Sequence, residues 1–182
     1  MTVKETKLKG CFIIEPKIFE DKRGYFLESY NQKTFNKLIG TNINFVQDNE
    51  SFSSKGVLRG LHYQTGAHAQ AKLVRVLKGK VLDVAVDLRK ESQTFGQYTA
   101  VELSEENRKQ LFVPRGFAHG FIVLEDDTVF LYKCDNYYDK TSESGIIFND
   151  KALNINWNFP EGKMIVSEKD KNLTTFENLF KW

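Results

Sequence analysis

Lys72-Leu73-Val74-Arg75-Val76-Leu77-Lys78-Gly79-Lys80-Val81-Leu82-Asp83-Val84-Ala85-Val86-Asp87-Leu88-Arg89 is the stretch that decides the fold class. Valine and leucine dominate both halves, which favours extended chain, and Lys78-Gly79-Lys80 interrupts them as a tight turn does. The stretch reads as two strands joined at that turn. Working outward, shorter runs of the same kind occur at residues 12–14, 25–29, 98–103, 120–123, 128–134 and 145–148. Short strands separated by turns predict a mainly β chain, an antiparallel sandwich or barrel. Helical periodicity is confined to residues 31–39, where Phe35, Leu38 and Ile39 share a face, and to residues 173–180; both predict short peripheral helices. Ser104-Glu105-Glu106-Asn107 reads as a capped turn ahead of the strand-like residues 111–113.

At 182 residues the chain is long enough to bury a core without disulfides or metal, and no repeat or linker divides it, so a single domain over residues 1–182 is expected. A composition 41% hydrophobic and 13% aromatic argues against disorder. No apolar run is long enough to cross a bilayer and the first residues are polar, so the expected location is cytoplasmic. Cys11 and Cys134 match no metal or redox spacing and are expected as two buried thiols. A net charge of +2, with acidic and basic residues interleaved, argues against nucleic acid as a partner. It leaves room for arginines clustered around a small phosphorylated ligand.

Candidate chemistry centres on two of the three histidines. In Gly56-Val57-Leu58-Arg59-Gly60-Leu61-His62-Tyr63-Gln64, strict alternation points Leu58, Gly60 and His62 one way and Arg59, Leu61 and Tyr63 the other. His62 is then either a general base inside a barrel or a hydrogen-bonded structural histidine. His119, in Pro114-Arg115-Gly116-Phe117-Ala118-His119-Gly120-Phe121, either orients a substrate or bonds a carboxylate, with Asp83 a plausible partner. His68 lies in a polar loop and reads as solvated. Lys72 could carry an ammonium toward a developing oxyanion or simply mark a strand end. Tyr132 could donate a proton or serve only packing, and Asp170 could fix a histidine tautomer or belong to a solvated charge run.

A metal centre needs three or four spaced ligands, and Gln64 stands two residues after His62 where a second histidine would be required. No metal is expected. No glycine-rich dinucleotide or phosphate loop occurs, so no cofactor is expected either.

Taken in order, these segments resemble the dTDP-4-dehydrorhamnose 3,5-epimerase family. The resemblance rests on Phe19-Glu20-Asp21-Lys22-Arg23-Gly24-Tyr25-Phe26-Leu27-Glu28, Gln47-Asp48-Asn49-Glu50-Ser51, the His62 and His119 segments, Gln70-Ala71-Lys72-Leu73-Val74, Asp83 through Arg89, Tyr132-Lys133, Asn149-Asp150 and Ser167-Glu168-Lys169-Asp170. It implies a cupin-like jelly-roll β-sandwich or barrel, and a homodimer that exchanges strands. It implies conversion of dTDP-4-keto-6-deoxy-D-glucose to dTDP-4-keto-L-rhamnose without a cofactor, in dTDP-L-rhamnose synthesis. His62 matches the base, Asp170 its acidic partner, Lys72 the enolate-stabilising residue and Tyr132 the proton donor. Arg23, Glu28, Gln47, Asn49, Arg59, His119, Tyr138, Glu143 and Lys169 match substrate-binding positions, with Arg23 and Glu28 expected to serve the neighbouring subunit. The competing readings are an epimerase acting at one carbon of a related sugar, a silent sugar-nucleotide-binding barrel, and a metal-dependent cupin oxygenase.

Overall fold

A computed structural model describes residues 1–180; the last two positions of the expected domain lie outside the described residues. Two antiparallel sheets stack face to face in a jelly-roll-like sandwich. The first runs β1 (Thr2–Glu5), β2 (Phe12–Glu15), β10 (Gln110–Val113), β7 (Lys72–Lys78), β12 (Thr128–Cys134), β5 (Gln47–Ser53). The second runs β13 (Glu143–Gly145), β6 (Val57–Gln64), β11 (Phe117–Val123), β8 (Lys80–Asp87), β9 (Tyr98–Ser104), with β14 (Ile165–Val166) added parallel to β6. A separate hairpin, β3 (Ile18–Asp21) with β4 (Gly24–Leu27), belongs to neither sheet and leaves Phe19, Tyr25 and Phe26 exposed.

The stretch from Lys72 to Arg89 forms the two expected strands, but they do not pair with each other. β7 lies in the first sheet and β8 in the second, so Gly79 turns a corner between layers. Its φ of +77° suits glycine, and a side chain there would collide with Thr128. β8 is almost entirely buried, because each of its faces packs on a core. Its inward residues Val81 and Ala85 join Val74, Val76, Phe117, Phe121 and Phe130 between the sheets. Its outward Leu82, Val84 and Val86 pack with Leu58, Leu61, Ile122, Phe148 and Trp157 beneath the chain that follows β13. Cys11 and Cys134 are buried free thiols.

Three expectations fail locally. Helix α1 (Gln32–Ile39) is capped by Asn31, whose side chain accepts from the Thr34 N–H, and it buries Phe35 and Ile39 on the first sheet. Leu38 is 43% exposed: the helix is short and touches the sheet only along the Phe35–Ile39 line. Residues 173–180 do not form one helix. Helix α2 (Glu168–Lys171) precedes them, Leu173 lies over Gly145, Thr174 bridges Ile146, and α3 (Phe176–Leu179) starts only after its Thr175 cap. The strand expected at residues 145–148 ends at Gly145, beyond which Ile146 exchanges backbone hydrogen bonds with Leu61. No described helix is long and apolar enough to cross a membrane.

Candidate active site

At one end of the sandwich the interior changes from apolar to polar and opens into a cavity of about 640 Å³. The inward row of β5 is Gln47, Asn49, Ser51 and Ser53, with the exposed Asp48, Glu50 and Phe52 between them. This strand turns polar side chains inward, where a packing strand would place valines. Next to it, β12 and β7 bring Tyr132 and Lys72 onto the same inner face. The Lys72 ammonium lies 5.7 Å from the Tyr132 ring centre, and both residues line the cavity.

His62, Arg59 and His119 line the opposite wall. Strict alternation put Arg59 and His62 on opposite faces, and the structure corrects this. Arg59 pairs with Phe121 and His62 with His119, so Gly60 and Leu61 together face the single residue Gly120. The extra residue is a β-bulge, which reverses the alternation and turns both Arg59 and His62 inward while Leu58 and Leu61 face out. Glycine is needed at the crossing, since a Cβ on Gly60 would lie 2.6 Å from the Gly120 Cα.

The His62 Nε2 lies 2.7 Å from the Asp170 Oδ1, and the Asp170 Oδ2 accepts the Gly60 N–H at 3.2 Å. Burial works to raise the Asp170 pKa, but the His62 contact, the Gly60 N–H and Lys169 outweigh it and hold the carboxyl below its usual range. An ionised carboxylate can only accept, so Nε2 carries a proton toward it, and in the neutral ring the lone pair is then on Nδ1. Across the cavity, burial lowers the Lys72 pKa and raises that of Tyr132, so the phenol stays protonated. His119 is buried and its Nε2 lies 2.9 Å from the Asp83 Oδ2.

The structure divides the nucleotide candidates into three groups. Arg59 and Asn49 line the cavity, and Arg59 is steadied by the Ser53 hydroxyl at 3.2 Å. At the rim, Lys169 pairs with Glu143 at 2.6 Å, the Tyr138 hydroxyl donates to Glu143 at 3.0 Å, and the Gln47 side chain accepts the Tyr138 N–H at 3.0 Å. Arg23 and Glu28 are not brought to this cavity. Arg23 sits at the tip of the β3–β4 hairpin, paired with Asp21, and the exposed Glu28 accepts from Asn31. Sequence reasoning missed Ser51, Phe121, Ile165 and Ser167, all of which line the cavity. The period-two row of amides and serines in β5 was the one signal that could have found Ser51. Among the described residues, no group of three or more His, Cys, Asp or Glu side chains is placed to hold a metal ion.

A jelly-roll with a histidine–carboxylate dyad on one wall and a lysine and tyrosine on the facing wall defines the class of acid–base enzymes that hold a small substrate between two sheets. Residues 5–178 match the family described as dTDP-4-dehydrorhamnose 3,5-epimerase. A protein of that name from Shigella flexneri is 53% identical over 172 residues, 94% of each chain. The crystal structure of the Elizabethkingia anophelis NUHP1 epimerase superposes with a TM-score of 0.95 at 60% identity, covering 98% of this chain and 97% of that one. A Legionella pneumophila Philadelphia 1 epimerase, solved in complex with dTDP-4-keto-L-rhamnose, superposes at 0.93 with 48% identity, covering 98% and 94%. The chain belongs to the dTDP-4-dehydrorhamnose 3,5-epimerase family.

Proposed function

We propose that this chain converts dTDP-4-keto-6-deoxy-D-glucose to dTDP-4-keto-L-rhamnose by inverting carbons 3 and 5 in turn. The observation that carries the reading is the placement of a base and an acid on facing walls of one cavity: His62 on the second sheet, Tyr132 on the first. The ketone at carbon 4 acidifies the hydrogens on its neighbours, because the carbanion is delocalised onto oxygen. His62 Nδ1 takes the proton, and the C–H electron pair becomes the enolate π bond as the carbonyl pair moves onto oxygen. Lys72 stabilises that oxygen as charge develops. The pair returns to carbon, which takes the Tyr132 proton on the opposite face. Solvent exchange then restores the tyrosine proton and discharges His62. Arg59 and Lys169 bind the pyrophosphate, Tyr138 stacks on the base, and Gln47, Asn49, Glu143 and His119 hydrogen-bond base or sugar.

The assembly reading is a homodimer in which the β3–β4 hairpin crosses to a second copy, covering Phe19, Tyr25 and Phe26 and delivering Arg23 and Glu28 to the neighbour's cavity. The unpaired Cys11 and Cys134 support a reducing, cytoplasmic setting. The test of function is incubation with dTDP-4-keto-6-deoxy-D-glucose in deuterated water, with deuterium located by NMR. Incorporation at carbons 3 and 5 with inversion is expected; exchange at one carbon alone makes the protein a mono-epimerase, and exchange at neither refutes the reading.

A further inference from the structure

Tyr138 stands on a loop that has no regular structure of its own between β12 and β13, yet three backbone polar groups of the two peptides that flank it are held by side-chain amides. Gln47 takes the Tyr138 N–H. The other two are held by Gln64, whose Oε1 accepts the Asp139 N–H at 2.7 Å while its Nε2 donates to the Tyr137 carbonyl at 3.2 Å. The second Nε2 hydrogen goes to the His68 carbonyl at 2.7 Å. Only one orientation of the amide satisfies all three contacts, because an acceptor must face Asp139 and donors must face the two carbonyls. Gln64 is only 8% exposed, which limits the competition of solvent for these bonds. It lies two residues beyond His62 on the same face of β6, with continuous pairing to β13 between them.

We propose that Gln64 is a positioning residue that fixes the height and direction of Tyr138 against the bound nucleotide. One strand then registers both ends of the substrate: His62 meets the sugar directly, and Gln64, through Tyr138, places the base. The inference rests on Tyr138 contacting the nucleotide, as proposed above.

Gln64→Met keeps the length of the side chain and removes all three contacts. The expected result is a rise of about tenfold in the Kd for dTDP and in KM for the sugar nucleotide, with kcat held within about threefold. In a Tyr138→Ala background the same substitution should change the dTDP affinity by less than about twofold, because nothing is left to position. Should Gln64→Met not fold, Gln64→Asn keeps the amide but withdraws it by one bond, and the same measurements apply. A fall in kcat at unchanged KM overturns the proposal. So do additive penalties in the double variant, or a Gln64 variant with wild-type affinity while Tyr138→Ala is weakened. A Tyr138→Ala variant that binds dTDP normally overturns both this proposal and the nucleotide role of Tyr138.

Discussion

Asp170→Asn should slow turnover far more than it weakens binding. In the native site two N–H groups, one on Gly60 and one on His62, each point at a carboxylate oxygen. Asparagine offers one acceptor and one donor in place of two acceptors. If its oxygen faces Gly60, its NH2 group faces His62 Nε2 and forces the ring proton onto Nδ1, the nitrogen proposed as the base. If it faces His62, the Gly60 N–H loses its partner. Either way the imidazolium formed on proton abstraction loses its counter-charge. Opposite unit charges about 4 Å apart at an effective dielectric near 20 attract by ~4 kcal/mol. At ~1.4 kcal/mol per tenfold, kcat should fall by about 10³. KM should move by less than about threefold, because Asp170 is 3% exposed and both of its oxygens are engaged by Gly60 and His62. The assay is steady-state epimerisation followed by NMR, with the melting temperature measured alongside. A folded Asp170→Asn variant whose kcat stays within about tenfold of wild type, or whose defect lies wholly in KM, refutes the dyad as argued.

Tyr132→Phe keeps the ring on its strand but removes the phenolic proton, so deuterium should enter carbons 3 and 5 faster than either carbon inverts. Inversion at the wild-type rate would assign the acid elsewhere. Arg59→Ala should weaken dTDP binding by about 1.5–3 kcal/mol in a folded protein, since it removes a charge-assisted contact; titration calorimetry reads this, and unchanged affinity would leave Arg59 a structural residue. Asp87 is buried, which works to raise its pKa, but bonds from Arg89, Ser92 and Thr94 hold it at about 2 against an ordinary 3.8. A depressed carboxylate gives stability that is complete above about pH 4 and lost as pH falls toward the folded value. Asp87→Asn should therefore cost ~2 kcal/mol at pH 7 and flatten the acid limb of the stability curve. Denaturant unfolding at pH 7 and pH 3 checks both; equal losses at the two pH values would contradict it.

The strands of the sandwich core were legible because each carries an apolar row on at least one face, as in residues 128–134. What the sequence left unread has physical causes. The sheet change at Gly79 depends on which partner each strand finds, and a one-residue turn looks the same whether the strands pair or part. The inward turn of Arg59 depends on a bulge, and two glycines facing each other from sequence-distant strands give no local sign of it. β5 escaped notice because its inner face is polar, which is the feature that makes it a cavity wall. The dyad partner Asp170 sits in a run of charges that reads as solvated surface. Only its ordered match to a known family singled it out.

The distance along the chain between the two members of that dyad sets when the enzyme can begin to work. His62 and Asp170 are 108 residues apart. At roughly 5–20 residues per second, a ribosome needs about 5–20 s to make the carboxylate after the imidazole. Until then the base has no partner to hold its tautomer, and the β6 backbone at Gly60 has no acceptor for its N–H. A nascent chain arrested before Ser167 should therefore show no exchange activity even with every other cavity-lining strand already translated. On this reading catalytic competence waits for α2, made long after β6, to bring its carboxylate against that strand.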